Sequence, residues 1–466
     1  MKKISILFVT LFINTFVFSQ HQADHWYFGI YAGLDFSSGS PVPVTDGALS
    51  TTEGCSSISD VLGNLLFYTN GVSVWNRNNQ LMPNGTGLDG DISTSQSGLI
   101  VPDPASNGSD YYIFTLANDG GANGFRYSIV DMTEDSGLGD VITKNVLIQD
   151  NVTERMAAQK QLNGEGYWIV VHDWGSNAFD AYSLTSSGLQ LTPVISNVGM
   201  VHTTAQIQNT YGQMKFSTCT DQLALATGYL DTVQLLDFDP VTGILSNPIS
   251  LPMPDHVYGV EFSSAGNNLY VTNYDMYGTL LQYDLTSNIQ DSIIASRKVL
   301  SLTEDLYALQ LGPDYKIYVN KSFSSQLNVI NSPNTPGYDC DYVDNALNLD
   351  PNYLGITSGL GLPEFPQNIF KTEGSCFANG INEVTASGKN LLYPNPSGDE
   401  FTVNLSNQHS QSTIVVFDAE GNRVAQFNEV SEGKISFGKN LSAGIYLVQI
   451  RNDAGVTNEI AVKIEE

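Results

Sequence analysis

Tyr258-Gly259-Val260-Glu261-Phe262, a Ser263-Ser264-Ala265-Gly266-Asn267-Asn268 turn, Leu269-Tyr270-Val271-Thr272, a Tyr277-Gly278 turn, Leu280-Leu281-Gln282-Tyr283-Asp284-Leu285 and Lys298-Val299-Leu300-Ser301-Leu302 together decide the fold. Each of the four apolar segments is short, rich in β-branched and aromatic residues, and bounded by Gly, Asn, Asp or Ser. That is the pattern of strands and hairpins, not of a helical period. The opening of the unit recurs as Tyr211-Gly212-Gln213-Met214-Lys215-Phe216-Ser217 and, less closely, as Tyr307-Ala308-Leu309-Gln310-Leu311-Gly312, so the three tyrosines stand 47 and 49 residues apart. A four-stranded unit repeated at that period predicts a β-propeller, in which each blade buries its faces against its neighbours.

Working outward, a first blade is expected over residues 53–85, a second over 98–148 and a third over 156–198. The fourth, fifth and sixth start at Tyr211, Tyr258 and Tyr307, and the sixth ends near Leu349. Two strand-like pieces remain, His25-Trp26-Tyr27-Phe28-Gly29 through Val44 and Gly359-Leu360-Gly361-Leu362-Pro363-Glu364-Phe365. Joined, they make a seventh blade from both ends of the chain and remove the exposed sheet edges of an open array. The expected fold is therefore all-β, a seven-bladed propeller over residues 20–371, with six blades and extra edge strands as the alternative.

Lys2 and Lys3 precede an apolar run from Ile4 to Phe18, the layout of a secretory signal peptide over residues 1–19 with cleavage between Ser19 and Gln20. No later stretch is long and apolar enough for a transmembrane helix. Residues 372–390 are rich in Gly, Ser, Thr and Asn without an apolar period, and form a linker. Residues 391–466 then alternate through Phe401–Leu405, Ile414–Asp418, Val424–Phe427, Lys434–Phe437, Ile445–Ile450 and Glu459–Ile464, a small β-sandwich pattern.

Composition agrees with export. Removing Lys2 and Lys3 leaves 17 basic residues against 48 acidic ones, a formal charge of −31 (17 − 48). Nucleic acid and anionic membrane surfaces both require a basic face and are poor partners; no nucleic-acid partner is expected. With 41% hydrophobic and 14% charged residues, the chain is globular rather than disordered.

Tyr393-Pro394-Asn395-Pro396, the turn Asp418-Ala419-Glu420-Gly421-Asn422 and Leu441-Ser442-Ala443-Gly444-Ile445-Tyr446 resemble the C-terminal sorting domain, type A, of the type IX secretion system of the Bacteroidetes. The resemblance implies an immunoglobulin-like domain that carries folded cargo through the outer membrane. It also implies two partners, the type IX machinery and a C-terminal signal peptidase, and a protein that is secreted or attached to the cell surface. In this chain two acids, Glu465 and Glu466, follow the customary basic residue, Lys463. Further forward, Glu53-Gly54-Cys55-Ser56-Ser57-Ile58-Ser59-Asp60 and Tyr167-Trp168-Ile169-Val170-Val171-His172 resemble propeller regions of exported Bacteroidetes surface proteins. Tyr270-Val271-Thr272-Asn273 is similar to the YVTN and WD40-like repeats of surface-layer proteins. Both likenesses imply fold and location and supply no reaction.

Chemistry is sparse. The loops entering the innermost strands carry Glu53, Gln96, Glu154, Arg155, His202, Asp255 and His256, positions that converge on a central channel. Glu53, Arg155, His202 and His256 are the candidates from which an acid, a base and a cation could be assembled. The alternative is that they hydrogen-bond strand ends and channel water. No HExxH, CxxC, GxSxG, phosphate loop or dinucleotide fingerprint occurs, so neither a metal nor a cofactor is expected. Asp339, Asp341 and Asp344 lack the glycine and closing glutamate of a calcium loop. Trp174 and Tyr277 are candidates for stacking on sugars, although propeller aromatics more often pack blade to blade. Two function classes follow: a surface binding module for a protein or glycan, and a secreted hydrolase or lyase, lactonase-like or glycan-active, working at the channel mouth. Four cysteines allow one bridge, Cys340 to Cys376 at the seam of the ring, with Cys55 and Cys219 unpaired; four free thiols is the other possibility.

Overall fold

Leu65-Leu66-Phe67-Tyr68-Thr69 is buried at every position, as are Val257–Phe262 and Asn268–Asn273. A strand enclosed on both faces gains from apolar and aromatic side chains in either direction, so these segments run continuously instead of alternating. The outer strands differ: Leu81–Thr86 buries only Met82 and Gly85, and Tyr342–Asn348 is largely exposed. The computed structural model describes residues 21–274, 278–303, 305–370, 391–393, 397–405, 412–418, 423–430, 434–452 and 455–464. It comprises two units, Met1–Phe377 and Ala378–Glu466.

In the first unit, six antiparallel sheets follow one another along the chain and form the propeller. Their first strands are Ser56–Ser59, Leu99–Pro102, Val152–Lys160, Met214–Phe216, Val257–Phe262 and Leu306–Leu311. Five sheets have four strands in sequential order, and the third carries a fifth. A further sheet of three strands, His25–Phe28, Ala32–Asp35 and Val42–Val44, stands at the seam. Large aromatics tie neighbouring sheets together, Phe67 to Tyr111 at 5.5 Å between ring centroids, Phe125 to Tyr182 at 5.7 Å and Trp168 to Phe238 at 6.5 Å. Each such ring buries 150–250 Å² or so and carries much of the core's energy.

Closure differs from the expected strand pairing. Residues 359–365 form no strand; just before them an isolated bridge pairs Thr357 with Ile30. Pro363 has no N–H to give a ladder. Two amides of the stretch turn instead to the entry of the first blade, Leu360 N donating to Thr52 O at 2.6 Å and Glu364 N to Cys55 O at 2.8 Å. Gly361 permits this approach, because a Cβ there would lie 2.1 Å from Glu53 O. Trp26, fully buried, packs on Tyr318 of the sixth blade at 5.3 Å and on Phe365 at 6.0 Å, so side-chain packing joins these backbone bonds at the seam. A second departure is the helix Gln290–Ala295, inserted between the third and fourth strands of the fifth blade with Ile293 buried beneath it.

The expected bridge at Cys340 and the expected unpaired thiol at Cys219 are both corrected. Cys340 is a buried free thiol, as is Cys55, whereas Cys219 is disulfide-bonded. Cys340 closes the short turn Gly337–Cys340 and meets Tyr270, so its sulfur is enclosed by the fifth and sixth blades. Cys219 sits partly exposed in the first turn of the fourth blade. Cys376 lies outside the described residues, as do Ser19, Gln20 and the 372–390 linker.

The second unit is a two-sheet sandwich. Leu391–Tyr393, Phe401–Asn404 and Lys434–Phe437 form one sheet, and Arg423–Val430, Ser412–Phe417, Gly444–Asn452 and Gly455–Lys463 the other. Phe401, Val403, Ile414, Val416, Val448 and Ile450 fill the space between them. Of the sorting motif, Tyr393 ends the first strand, Gly444 begins the strand to Asn452, and Tyr446 donates to Ser442 O at 2.8 Å; Pro394, Asn395 and Pro396 lie outside the described residues.

Candidate functional site

In a four-stranded up-and-down sheet, the loop that enters the innermost strand and the loop joining the second and third strands emerge at the same end. Here that upper end gathers Glu53, Ser95, Glu154, Tyr211, His256, Tyr258 and Tyr307 from entry loops or strand starts, and Asp119, Trp174, Tyr229 and Tyr274 from second-to-third loops.

A polar network occupies the centre. Glu154, fully buried, accepts from Ser95 N at 2.8 Å and Ser95 Oγ at 3.0 Å through Oε2, and from Asp119 N at 2.7 Å through Oε1. Tyr211 donates its hydroxyl to Asp119 Oδ1 at 2.9 Å, and Tyr258 donates to Glu53 Oε2 at 2.9 Å, across the channel from the first blade to the fifth. Burial, reinforced by the neighbouring Glu154 charge, raises the Glu53 carboxyl to about 8; burial raises Glu154 to about 7 against the pull of its amide donors. The Tyr258 hydroxyl is pushed well above the usual phenol value by burial and by Glu53.

Behind Glu154 the cation and the imidazole close on each other. Arg155 and His202 are both fully buried. Arg155 Nη1 donates to His202 Nδ1 at 3.0 Å and Nη2 to Asn209 O at 2.7 Å. Arginine cannot accept, so His202 must carry its proton on Nε2. Its ring stacks on His172 at 3.6 Å, and His172 Nδ1 in turn donates to Asp173 O at 2.7 Å. Burial, the adjoining imidazole and the Arg155 charge hold His202 well below the ordinary histidine value; burial and Arg155 bring His172 down to about 3. Burial also lowers Arg155, to about 9. Among the described residues Arg155 Nε, His172 Nε2 and His202 Nε2 have no hydrogen-bond partner.

Deeper in the channel lies a closed ion pair. Lys215 Nζ meets Glu364 Oε2 at 2.6 Å and Gln310 Oε1 at 2.5 Å, while Gln213 Nε2 donates to Glu364 Oε1 at 3.1 Å. Gln96 bridges Met156 N and Met214 N through its Oε1, a strand-tying role. Side chains of the second, fourth and sixth blades thus join the closing segment's Glu364 in the channel.

Of the four candidates, the structure draws Glu53, Arg155 and His202 into the group around Glu154. His256 stands outside that group. It pairs with Asp231 at 2.8 Å, stacks on Tyr229 at 3.6 Å, and reaches the centre through Tyr274 at 6.0 Å and then Tyr258 at 6.2 Å. Asp231, Asp255 and His256 place their donor atoms within 4.8 Å of one another, a group able to hold a metal ion. Trp174 packs over Gly120, where a Cβ would meet its ring at 2.1 Å; Tyr277 lies outside the described residues. The residues sequence reasoning missed as site members are Asp119, Tyr211, Tyr258, Tyr274 and Tyr307. Tyr211, Tyr258 and Tyr307 were visible as the repeat's own marker, since one structural position, the entry to an inner strand, recurs at the period of the blade.

Comparison with known proteins assigns residues 391–463 to the family described as the secretion system C-terminal sorting domain. The chain therefore carries a type IX sorting tail and is secreted or attached to the cell surface; among the described residues no helix is long and apolar enough to cross a membrane. A search of curated proteins gives no match. Among solved structures, the chain is similar to a candidate 6-phosphogluconolactonase from Bacteroides fragilis at 10% identity and a TM-score of 0.47, covering 73% of this chain and 97% of that one. A second candidate 6-phosphogluconolactonase, from Bacteroides uniformis, shows 11% identity and a TM-score of 0.45 over 70% and 98%. The β-propeller domain of Cps50 (Swd1) from Myceliophteria thermophila shows 14% identity and a TM-score of 0.33 over 79% and 97%.

Proposed function

We propose that this protein is a non-catalytic binding module, delivered by its type IX tail to the cell exterior, whose propeller presents the upper end of the channel to a ligand. In this reading residues 1–19 are a leader, 20–371 the working propeller, 372–390 a linker and 391–466 the export signal. The observation that carries it is the burial of Arg155 and His202. A cation or base that serves catalysis must reach the reacting atoms, whereas these two are fully buried, and Arg155 spends its terminal nitrogens on His202 and a backbone carbonyl. Glu154 is likewise consumed by backbone and hydroxyl donors.

The second reading, a hydrolase or lyase, draws on Glu53 and Glu154, whose carboxyls titrate near neutrality as an acid and base would. Arrays of peptides and glycans probed with the mature protein test the first reading. It expects a discrete set of hits that Tyr229→Ala and Tyr307→Ala, at the upper end, remove together. Hits insensitive to both changes would count against it.

A further inference from the structure

The loops of the upper end carry one sign of charge, and the arginine beside them, Arg155, is fully buried. Its loops at 45–55, 87–98, 117–124, 150–151, 227–231, 253–256, 302–305 and 349–357 hold ten acidic residues among those described, and no lysine or arginine. The remaining loops of this end, 29–31, 70–72, 174–177, 198–213, 274–278 and 322–325, add no lysine or arginine either. Arg126 reaches in from a strand to Asp89 at 3.4 Å, and His256 serves Asp231 and Asp255. Among the described residues, none of the other acids of this end has a basic side chain within 4.0 Å.

The same loops carry aromatic rings at the surface. Tyr353 is 93% exposed, Phe323 50%, Tyr31 48% and Tyr229 37%. Tyr31, Phe323 and Tyr353 hold left-handed backbone at φ 60, 44 and 58, which bulky residues rarely adopt. Four of the six blades' second-to-third loops contain an aromatic ring, Trp174, Tyr229, Tyr274 and Phe323, and Tyr31 lies in the loop joining the first two strands of the seam sheet. A surface of carboxylates interleaved with π faces attracts cations by both routes, and guanidinium groups most of all, since they stack on rings and bind carboxylates bidentately.

From this juxtaposition we propose that the ligand of the upper end is a polypeptide segment rich in arginine or lysine, a reading that rests on the binding-module function above. Several cationic side chains spaced along one chain match rings and acids spread over successive blades. A neutral glycan would use the rings and draw nothing from the carboxylates. The attraction is long-ranged at low salt, so association is fast and weakens as ionic strength rises.

The test uses the mature protein with three probes: an oligoarginine peptide, an oligoglutamate peptide of equal length, and a maltooligosaccharide. Oligoarginine is expected to bind saturably and the other two not. Tyr229→Ala with Tyr353→Ala, and separately Asp231→Asn with Asp255→Asn, should each weaken binding roughly tenfold. Asp239→Asn with Asp291→Asn, at the opposite end, should leave it within about twofold if the site is local and only the diffuse field is altered. Melting curves confirm that each variant is folded. Equal weakening by changes at both ends, or no saturable binding, overturns the proposal by reducing it to bulk acidity. Maltooligosaccharide bound in place of the peptide, and lost with the tyrosines, overturns the cationic ligand while the binding function stands. Turnover of a substrate abolished by Glu53→Gln overturns the binding function itself.

Discussion

Glu53 carries a carboxyl that burial holds largely protonated at neutral pH, and the consequence for stability has a definite sign. Its folded value, about 8, stands above the ordinary 4.5, so the folded state binds the proton more tightly than the unfolded chain does. The stabilisation is complete below the ordinary value and is lost as pH rises towards 8. Glu53→Gln mimics the protonated acid and still accepts from Tyr258. Urea unfolding should find it close to wild type at pH 5 and more stable by roughly 1–3 kcal/mol at pH 9. A variant less stable than wild type at pH 9 would mean that the carboxylate is preferred there. Sequence placed Glu53, Arg155 and His202 near a channel because all three sit at inner-strand entries. It left their relations open, since whether an arginine faces a ligand or a histidine is decided by contacts between blades, here Arg155 of the third with His202 of the loop before the fourth. His256 entered on the same rule, yet Asp231 and Tyr229 hold it outside the central group.

The elements that close the ring show where strand signals stop short. Gly359 to Phe365 reads as a strand by its apolar residues, but Pro363 removes a donor and Gly361 admits the backbone to the first blade, so pairing gives way to contact. What the segment supplies is Glu364, delivered to Lys215 in the channel. A buried ion pair broken on one side leaves the other charge uncompensated. Glu364→Gln should therefore cost about 3–5 kcal/mol, whereas Lys215→Met with Glu364→Leu should cost markedly less. Denaturant titration of both variants checks this, and equal losses would contradict it. The helix Gln290–Ala295 escaped notice because six residues are too few to display a period. Bridge connectivity was equally illegible, since the seam argument weighed closeness to the ring's end and not the enclosure of Cys340 beside Tyr270. Non-reducing peptide mapping of exported protein should recover Cys219 in a linked peptide, with Cys376 as the cysteine that remains for it, and Cys55 and Cys340 as free thiols. A linked Cys340 would reverse the assignment.

At the scale of the molecule, the repeat at 47 and 49 residues and the alternation after residue 391 made both folds readable. Each reflects a constraint repeated along the chain: two buried faces per blade in the first unit, and one buried face per strand in the sandwich. The tail's role gives a separate expectation. Removal of residues 391–466 in a producing cell should leave the propeller inside the cell envelope, while the full chain appears outside, without residues 1–19; export of the truncated chain, followed by fractionation and intact mass, would contradict it. Which of the two function classes is correct depends on whether the central group does chemistry. The direct measurement is turnover of lactone, ester and glycoside panels by the mature wild-type protein beside Glu53→Gln and Glu154→Gln. The binding account predicts no hydrolysis that depends on either glutamate; hydrolysis by the wild type that both substitutions abolish, with the fold intact, would contradict it.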